Sequence, residues 1–404
     1  MNVWVKLLIG SVLGGLLGWF LPSDNSTIVG VLVWLQEMGI RIGRYMSAPM
    51  LVFSLTIAVY ELRQDGFFWR LVFHTFLVII GTTLFVMLAG IGVIYLVPAI
   101  RIPILTGEQV AVVSLNPLEN ITDLFPSNMF SVFAGDGVYL FPLCVFAFFV
   151  GMGLSYERTF TKPVITLIDA LSHIFYYIGA FFAEILGLVM IVLGAYWAFQ
   201  YHAVLQEDTF RDIILLLGVM SAVLGFAALP LFFYFLGGRK KPWAVLRGSP
   251  GPALTGFFSG DVNCTIPILF HYAKESLGVR RRSSAITIPL FTTFCRAGSA
   301  MIAVIALVVV IQSYSSLNLK LPDILFLALK GFLISFALSR HPGDAAYTAL
   351  AVLCLNSGKG FESGYLILKP LGFYLIALGT FLDVMIAYFA SYRIAKISGF
   401  QEDK

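Results

Sequence analysis

Long apolar runs recur along the chain and constrain its fold more than any other feature. An α-helix needs roughly 20 predominantly apolar residues to cross the hydrocarbon core of a bilayer. Runs of about that length or more lie near 4–22, 29–60, 71–97, 128–156, 163–200, 210–236, 283–312 and 363–392. Composition agrees, since 59% of the 404 residues are hydrophobic and 12% are charged. These runs predict an all-α integral membrane protein and exclude a soluble domain.

Two further apolar segments are interrupted by polar tips that contain glycine or proline. The first, about 242–278, carries SGDVNCTIP, and the second, about 322–356, carries SRHPGDA. The arms beside each tip are too short to cross a bilayer, so we expect two re-entrant hairpins. Non-helical backbone is tolerated at membrane depth only where protein or a wet cavity surrounds it. We therefore expect the two tips to approach each other at a binding site.

The distribution of lysine and arginine predicts how eight spans and two hairpins are oriented. With both termini in the cytoplasm, the cytoplasmic segments hold most of these residues. The outer segments then hold Arg101, Arg211, Lys320 and Lys359. On this topology the first hairpin enters from inside and the second from outside, as in an inverted repeat. We expect a multi-pass protein of a plasma membrane or bacterial inner membrane, with an uncleaved first helix.

Several segments resemble, in order and spacing, the dicarboxylate/amino-acid:cation symporters, which are the glutamate-transporter family. RYMSAPMLVFSLTIAV at 44–59 resembles the second helix of that family, and 116–155 resembles its fourth-helix region. PALTGFFSGDVNCTIPILFHYAKESLGV at 252–279 resembles its first hairpin. Pro342 and Gly343 match the Pro-Gly tip of its second hairpin. The resemblance spans most of the chain.

The resemblance implies an elevator-type glutamate-transporter fold, with eight transmembrane helices and two re-entrant hairpins, in a lipid-embedded homotrimer. A moving transport domain would carry a small polar or anionic metabolite, such as an amino acid or dicarboxylate, past a static scaffold. The implied parts are scaffold helices 1–2 at 1–62, transport-domain helix 3 at 63–100, scaffold helices 4–5 with an outer loop at 101–207, and the rest of the transport domain at 208–400. That last range holds helix 6, hairpin 1 at about 242–278, helix 7 at about 283–312, hairpin 2 at about 322–356 and helix 8 at about 363–392.

The chain departs from the family where the family binds sodium. The Asn-Met-Asp-Gly signature of the seventh helix is matched by Cys295, Arg296, Ala297 and Gly298. A family hydroxyl after the signature is kept as Ser299, and the serine-rich tip of the first hairpin is replaced by Asp261, Val262 and Asn263. Hard cations prefer several oxygen ligands, carboxylates foremost. We therefore expect weak or no sodium coupling.

A residual sodium site remains compatible with the sequence, because some sodium ligands of the family have counterparts in this chain. A hydroxyl pair, Thr82 and Thr83, lies on helix 3, and backbone carbonyls near Thr293 correspond to another family site. The sequence predicts no other metal site and no cofactor. Coupling to protons, uniport and exchange are all compatible with these residues.

Asp383 lies in the eighth helix, where two alignments with the family remain open. The ungapped alignment of 365–396 puts Asp383 at a substrate-binding asparagine. The other equates 381–383 with a Phe-Leu-Asp of the family and makes Asp383 the aspartate that binds the substrate amino group. Both alignments lose the arginine that recognises an acidic side chain and a carboxylate that holds sodium.

Arg296 is the only charge in the run 283–312 and lies near its middle. A charge at that depth costs roughly 3 kcal/mol to insert unless it is paired or hydrated. One hypothesis is a fixed salt bridge, to Asp383 or, as second choice, Asp261. Another is a tethered cation that replaces bound sodium. A third is bidentate binding of a substrate carboxylate or phosphate, which is compatible with the second.

The candidate substrate-binding residues share a position at a hairpin tip or at the matched family site. They are Arg296, Asp383, Asp261, Asn263, Ser299, Pro342 and Gly343. Asp383 and His341 are candidate proton or charge switches. The alternative functions are a non-transporting membrane receptor or sensor, and an anion conductor with the same fold. We expect no enzymatic activity, and the small net charge of +4 does not indicate a nucleic-acid partner.

Overall fold

The computed structural model describes residues 2–22, 26–96, 102, 117–205, 208–236, 242–314, 321–357 and 362–401. Regular structure in these ranges is helical, apart from one isolated bridge between Val279 and Gln401. The all-α prediction is therefore confirmed. The predicted outer-loop residues 103–116, the cytoplasmic loop 237–241, and Arg101, Lys320 and Lys359 lie outside the described residues.

The described α-helices follow one another with short connections. They are α1 (Val3–Trp19), α2 (Ser26–Tyr45), α3 (Ser47–Gln64), α4 (Phe68–Leu96), α5 (Pro117–Thr122), α6 (Phe141–Leu154), α7 (Arg158–Leu205), α8 (Arg211–Val223), α9 (Leu229–Phe235), α10 (Pro242–Leu246), α11 (Pro250–Ser259), α12 (Val262–Glu275), α13 (Arg281–Phe294), α14 (Ala297–Tyr314), α15 (Leu321–Ser335), α16 (Ala345–Leu355) and α17 (Gly372–Ile397).

Length and composition allow six helices or joined helices of the described chain to cross a bilayer. They are Thr27–Gln64, Phe68–Tyr95, Thr159–His202, Arg211–Phe235, Arg281–Ser313 and Gly364–Ile397. Large apolar side chains on the outer faces are exposed, such as Leu17 at 60% and Leu188 at 70%. Such a surface suits acyl chains rather than water. The prediction of a multi-pass membrane protein is thus confirmed, while the predicted count of eight spans is not confirmed.

Local breaks interrupt two of the predicted spans. The run 29–60 divides into α2 and α3 at Met46, three residues before Pro49. A proline ring clashes with the carbonyl four residues earlier and donates no hydrogen bond, so the helix breaks there. In the run 128–156 only α6 is α-helical, and its 14 residues extend roughly 21 Å. The segment before α6 turns at Gly137, whose φ of 68° favours glycine.

Two other spans contain irregularities of different kinds. Helix α7 is continuous over 48 residues, roughly 70 Å, and is longer than predicted. The run 210–236 contains a π-helical turn at Leu224–Ala228, where the Leu229 N–H donates to the Leu224 carbonyl. Pro230 follows this turn and has no N–H to continue the regular ladder. The turn lets Gly225 lie directly against the ring of Phe381.

Small residues on α1 let that helix approach α7 at backbone distance. A Cβ atom at Gly10, Gly14 or Gly18 would overlap a carbonyl oxygen of α7, at Gly187, Ile191 and Ala195 respectively. Glycines spaced by four residues share one helix face, and this arrangement is common where membrane helices pack closely. The glycines of α1 therefore allow its close packing against α7.

Both interrupted segments form helix–turn–helix pairs. In the first pair α11 and α12 pack against each other, with α10 leading into them. In the second, α15 and α16 are joined through a 3-10 turn at Leu338–Arg340 and an irregular tip. Helices α14 and α17 are almost wholly buried; α17 packs against both pairs, and α14 packs against the second pair and α17. The tip of the first pair is buried, whereas Arg340 and Asp344 in the tip of the second pair are partly exposed.

Candidate functional site

The two hairpin tips meet, as the sequence predicts. The Val262 N–H donates to the Pro342 carbonyl oxygen at 3.1 Å and thereby joins the tips directly. Gly260 ends α11 in the left-handed conformation, with a φ of 61°, which glycine adopts without strain. Its carbonyl accepts a hydrogen bond from the Thr380 hydroxyl at 2.9 Å. Helix α17 thus fixes the turn of the first hairpin.

Asp261 is fully buried at the start of α12 and binds two groups. Its Oδ1 accepts from the Cys264 N–H at 2.7 Å and caps the helix. Its Oδ2 forms an ion pair with Arg44 of α2, whose Nε donates at 3.0 Å and whose Nη2 also donates. This pairing was not predicted. The signal was nonetheless present, because Arg44 is a charge inside the apolar run 29–60, just as Arg296 is in its own run.

Asn263 is held by the segment before α6. Its side-chain amide donates to the carbonyl oxygens of Gly137 and Val138, at 3.1 and 2.8 Å. Its backbone carbonyl accepts from the Ser47 hydroxyl at 2.7 Å. These bonds tie the first hairpin to α3 and to the chain that enters α6.

The predicted seventh helix is broken at Cys295 and Arg296, which corrects the expected continuous span at 283–312. Cys295 is extended, and the Arg296 N–H donates to the Ser335 carbonyl at the end of α15, at 3.2 Å. The bond to the second hairpin replaces a bond within the helix. Such a break at mid-membrane depth is tolerated because protein surrounds it.

The Arg296 side chain is fully buried, and no described residue accepts a hydrogen bond from its three guanidinium nitrogens. Neither predicted salt bridge, to Asp383 or to Asp261, is formed. Asp383, Asp261 and Asp344 are nevertheless close enough to interact with it electrostatically. An arginine always carries its charge and offers five donors. The charged guanidinium donors of Arg296 at this break are therefore not bound by any described residue.

Asp383 instead caps α14. Its Oδ1 accepts from the N–H groups of Gly298 and Ser299, at 2.7 and 3.3 Å, and its Oδ2 accepts from the Ser299 hydroxyl at 2.6 Å. A carboxylate at this position also complements the positive end of the helix dipole. Asp383 and Ser299 thus bind each other.

The tip of the second hairpin covers the Arg44–Asp261 pair. A Cβ atom at Gly343 would lie 2.9 Å from Asp261 Oδ2 and 3.2 Å from Arg44 Nη2. Residue 343 must therefore be small for the tip to close on the pair. Pro342 contributes the carbonyl that binds Val262.

His341 lies within the same tip and is bound locally. Its Nδ1 is 3.1 Å from both carboxylate oxygens of Asp344. The Thr348 hydroxyl donates to Asp344 Oδ2 at 2.9 Å. The arrangement holds the turn that leads into α16.

The threonines predicted near a residual sodium site direct their hydroxyl protons to their own helices. Thr82 and Thr83 donate to carbonyls of Val78 and Ile79 in α4, and Thr293 donates to Pro289 in α13. Thr83 also lies 3.4 Å from the Cys295 sulfur. No group of three His, Cys, Asp or Glu suitable for a metal ion occurs among the described residues. The nearest carboxylate on α17, Asp383, already accepts three hydrogen bonds.

These features define a class: a multi-pass helical membrane protein with two hairpins whose tips meet beside a broken, nearly buried helix. The chain belongs to the sodium:dicarboxylate symporter family, whose model matches residues 3–397. It is therefore a member of a family of membrane transporters.

Curated relatives match shorter parts of the chain. An excitatory amino acid transporter of Caenorhabditis elegans is 27% identical over 132 residues, which is 33% of this chain and 26% of the relative. Neutral amino acid transporter B(0) of Homo sapiens is 32% identical over 91 residues, which is 22% of this chain and 17% of the relative. These matches span about a quarter or less of the relatives' length.

Proposed function

We propose that this protein is a secondary transporter or facilitator that moves a neutral amino acid across the membrane without sodium coupling. The observation that carries the proposal is the buried guanidinium of Arg296, which has no described hydrogen-bond partner and lies at the helix break beside the hairpins. A buried unsatisfied polar group costs about 1–3 kcal/mol, and more when it is charged. A substrate carboxylate would satisfy these donors with two parallel bonds.

The local charge favours a zwitterion over a dicarboxylate. Arg296 and Arg44 face three carboxylates, those of Asp261, Asp344 and Asp383. The acidic side chains would repel a second substrate carboxylate and attract a substrate amino group. The two relatives above are named as transporters of excitatory and of neutral amino acids, which supports an amino-acid substrate.

The same arginine supports sodium independence. It replaces the methionine of the signature that holds sodium in the family, and it supplies a permanent positive charge there. Asp383, the carboxylate nearest that position on α17, is engaged by three donors. In this proposal Arg296 performs the neutralising role of a bound cation and also contacts the substrate.

The proposed movement is an elevator in a homotrimer, with 1–62 and 101–207 as scaffold and 63–100 and 208–400 as transport domain. Packing supports this division, because α1 packs on α7 and α3 on α6, whereas α14 and α17 pack with both hairpins and α4. The hairpins would be re-entrant, with the second as outer gate. Both termini would face the cytoplasm, in a plasma or bacterial inner membrane.

The first test is the melting temperature of the detergent-purified protein with neutral amino acids, dicarboxylates and other metabolites, in sodium, potassium and choline salts. A ligand that binds only the folded state raises the melting temperature. We expect a shift with neutral amino acids that is equal in sodium and choline. Arg296→Met should abolish this shift, whereas Arg41→Met, which alters an exposed arginine on α2, should keep it. A sodium-specific shift would contradict sodium independence.

Uptake of the same labelled ligand into proteoliposomes separates transport from binding alone. Saturable uptake that is equal in sodium and choline is expected for the wild type. Binding without uptake would instead support the receptor or sensor, and a chloride current without uptake would support the anion conductor. The melting temperature of ligand-free Arg296→Met shows whether loss of uptake reflects misfolding.

A further inference from the structure

A cavity lies apart from the Arg296 site, between α1, α7, α8, α11 and α17. Its volume is about 510 Å³, within the range of roughly 300–1,000 Å³ that is typical of small-molecule sites. The residues that line it are all uncharged, and most are apolar or aromatic. Trp197, Tyr201 and Phe257 form part of one wall, with the Trp197 and Tyr201 rings stacked at 4.9 Å.

Two polar atoms in the lining of this cavity have no described hydrogen-bond partner. They are the indole Nε1 of Trp197 and the hydroxyl of Ser221, and both atoms are buried. Ser221 is itself fully buried, and a helical serine commonly donates to the carbonyl four residues earlier, which it does not do here. Buried polar atoms normally form hydrogen bonds, so a bound ligand that pairs with these two atoms would explain why no described residue does.

The cavity reaches the apolar outer surface of the protein. Leu8 and Phe226 line it and are also 40% and 41% exposed. In a membrane protein such a surface faces acyl chains, so a ligand would enter sideways from the bilayer. An ionised ligand is excluded, because no charged side chain in the lining would compensate its desolvation.

We propose that this cavity binds an uncharged, lipid-soluble ring compound with at least one carbonyl or hydroxyl oxygen. The aromatic wall would pack on the ring, and the oxygen would accept hydrogen bonds from Trp197 Nε1 and Ser221 Oγ. Sterols and quinones share this chemistry. The donors differ from those at Arg296, so this ligand is not the transported substrate.

The ligand would also affect transport, a consequence that rests on the proposed function. Helices α1 and α7 belong to the proposed scaffold, and α8, α11 and α17 to the proposed transport domain. A ligand packed between them holds the two together and slows their relative movement. Binding itself does not depend on that proposal, so it is measured separately.

The binding test uses detergent-purified wild type titrated with cholesterol and, separately, with decylubiquinone, followed by melting temperature and by tryptophan quenching for the quinone. Saturable binding of one probe is expected. Trp197→Phe keeps a ring but loses the N–H, and Ser221→Ala loses the hydroxyl, so each should weaken binding about three- to tenfold. Trp34→Phe, at an exposed tryptophan of α2 outside the cavity, should leave the affinity unchanged.

A variant that fills the cavity with a bulky side chain still tests the proposal if Trp197→Phe and Ser221→Ala fold poorly. Ala222 lines the cavity and has an exposed side chain, so Ala222→Phe fills the entrance with little strain on the core. It should retain the melting temperature of the ligand-free protein and lose saturable probe binding. The proposal is overturned if neither probe binds saturably to the wild type, or if Ala222→Phe and Trp197→Phe both bind with wild-type affinity. Binding that leaves uptake unchanged overturns the effect on transport alone.

Discussion

At the scale of single residues, the candidate site contains buried charges, of which Asp261 and Asp383 cap helices while the Arg296 guanidinium has no described partner. The sequence predicts Asp261 as a site residue from its place at a hairpin tip, and Arg296 and Asp383 from their match to the family site. It does not predict their partners, since Asp261 meets Arg44, which is more than 200 residues away in the chain. Asp383 binds the start of α14, and α14 has a free start only because the chain is broken at Arg296. Partners of this kind follow from tertiary packing, which a local pattern does not contain.

The cap on α14 gives a prediction at this scale. Asp383→Ala leaves three buried donors without their acceptor, so we expect the free energy of unfolding to fall by about 2 kcal/mol or more. Asp383→Asn keeps a carbonyl acceptor and should lose less. Chemical denaturation in detergent measures both changes.

The matched control is Asp136→Ala, which removes an exposed carboxylate in the segment before α6. It should leave the free energy of unfolding within about 0.5 kcal/mol of the wild type. Equal losses in Asp383→Ala and Asp136→Ala would show that the cap contributes nothing.

At the scale of elements, apolar length predicts where helices occur and misses where they break. The break at Met46 and the π turn at Leu224–Ala228 each lie just before a proline, at Pro49 and Pro230, and were accessible to local reasoning. The break at Arg296 has no proline beside it. It depends on the bond from its N–H to Ser335, a residue of another hairpin. Breaks with a local cause are predictable from sequence, and this one is not.

The contact between α1 and α7 gives a prediction with a control one residue away. Gly14→Ala places a methyl group against the Ile191 backbone, so the helices must separate and the protein should lose stability by about 1–3 kcal/mol. A Cβ atom at Gly15 meets no other atom within 4 Å. Gly15→Ala should therefore be neutral or stabilise the helix by up to about 1 kcal/mol. Melting temperatures of both variants decide this, and similar effects at the two positions would refute the packing argument.

At the scale of the whole molecule, a few polar contacts connect the helices of the proposed scaffold to those of the proposed transport domain. At the hairpin tips these include the Arg44–Asp261 pair, the bonds of Asn263 and the Arg340–Asp123 pair. Toward the predicted cytoplasmic side, Arg281 pairs with Asp169, at 2.5 Å, and Arg282 pairs with Glu61, at 2.7 Å. An elevator movement would have to break such contacts. The buried pair at the tips is the costlier one to break, because its Asp261 side chain is fully buried.

Arg44 is therefore expected to hold the first hairpin against α2. Arg44→Gln leaves the Asp261 carboxylate without its counter-ion, which favours arrangements in which the hairpin has moved away from α2 and the carboxylate is hydrated. Cys264 reports this movement, because it is fully buried and lies directly against Gly43 of α2. We expect a membrane-permeant maleimide to label Cys264 several-fold faster in Arg44→Gln than in the wild type.

The controls separate this local movement from general loosening. Arg41→Gln removes an exposed arginine on the same helix and should leave labelling unchanged. The double variant Arg44→Gln/Asp261→Asn removes both charges, so it should recover much of the lost stability and label Cys264 more slowly than Arg44→Gln. The other three cysteines, Cys144, Cys295 and Cys354, are also buried and lie elsewhere in the packing. Faster labelling of all four in Arg44→Gln would indicate global unfolding, since only separation of α2 from the first hairpin exposes Cys264 selectively.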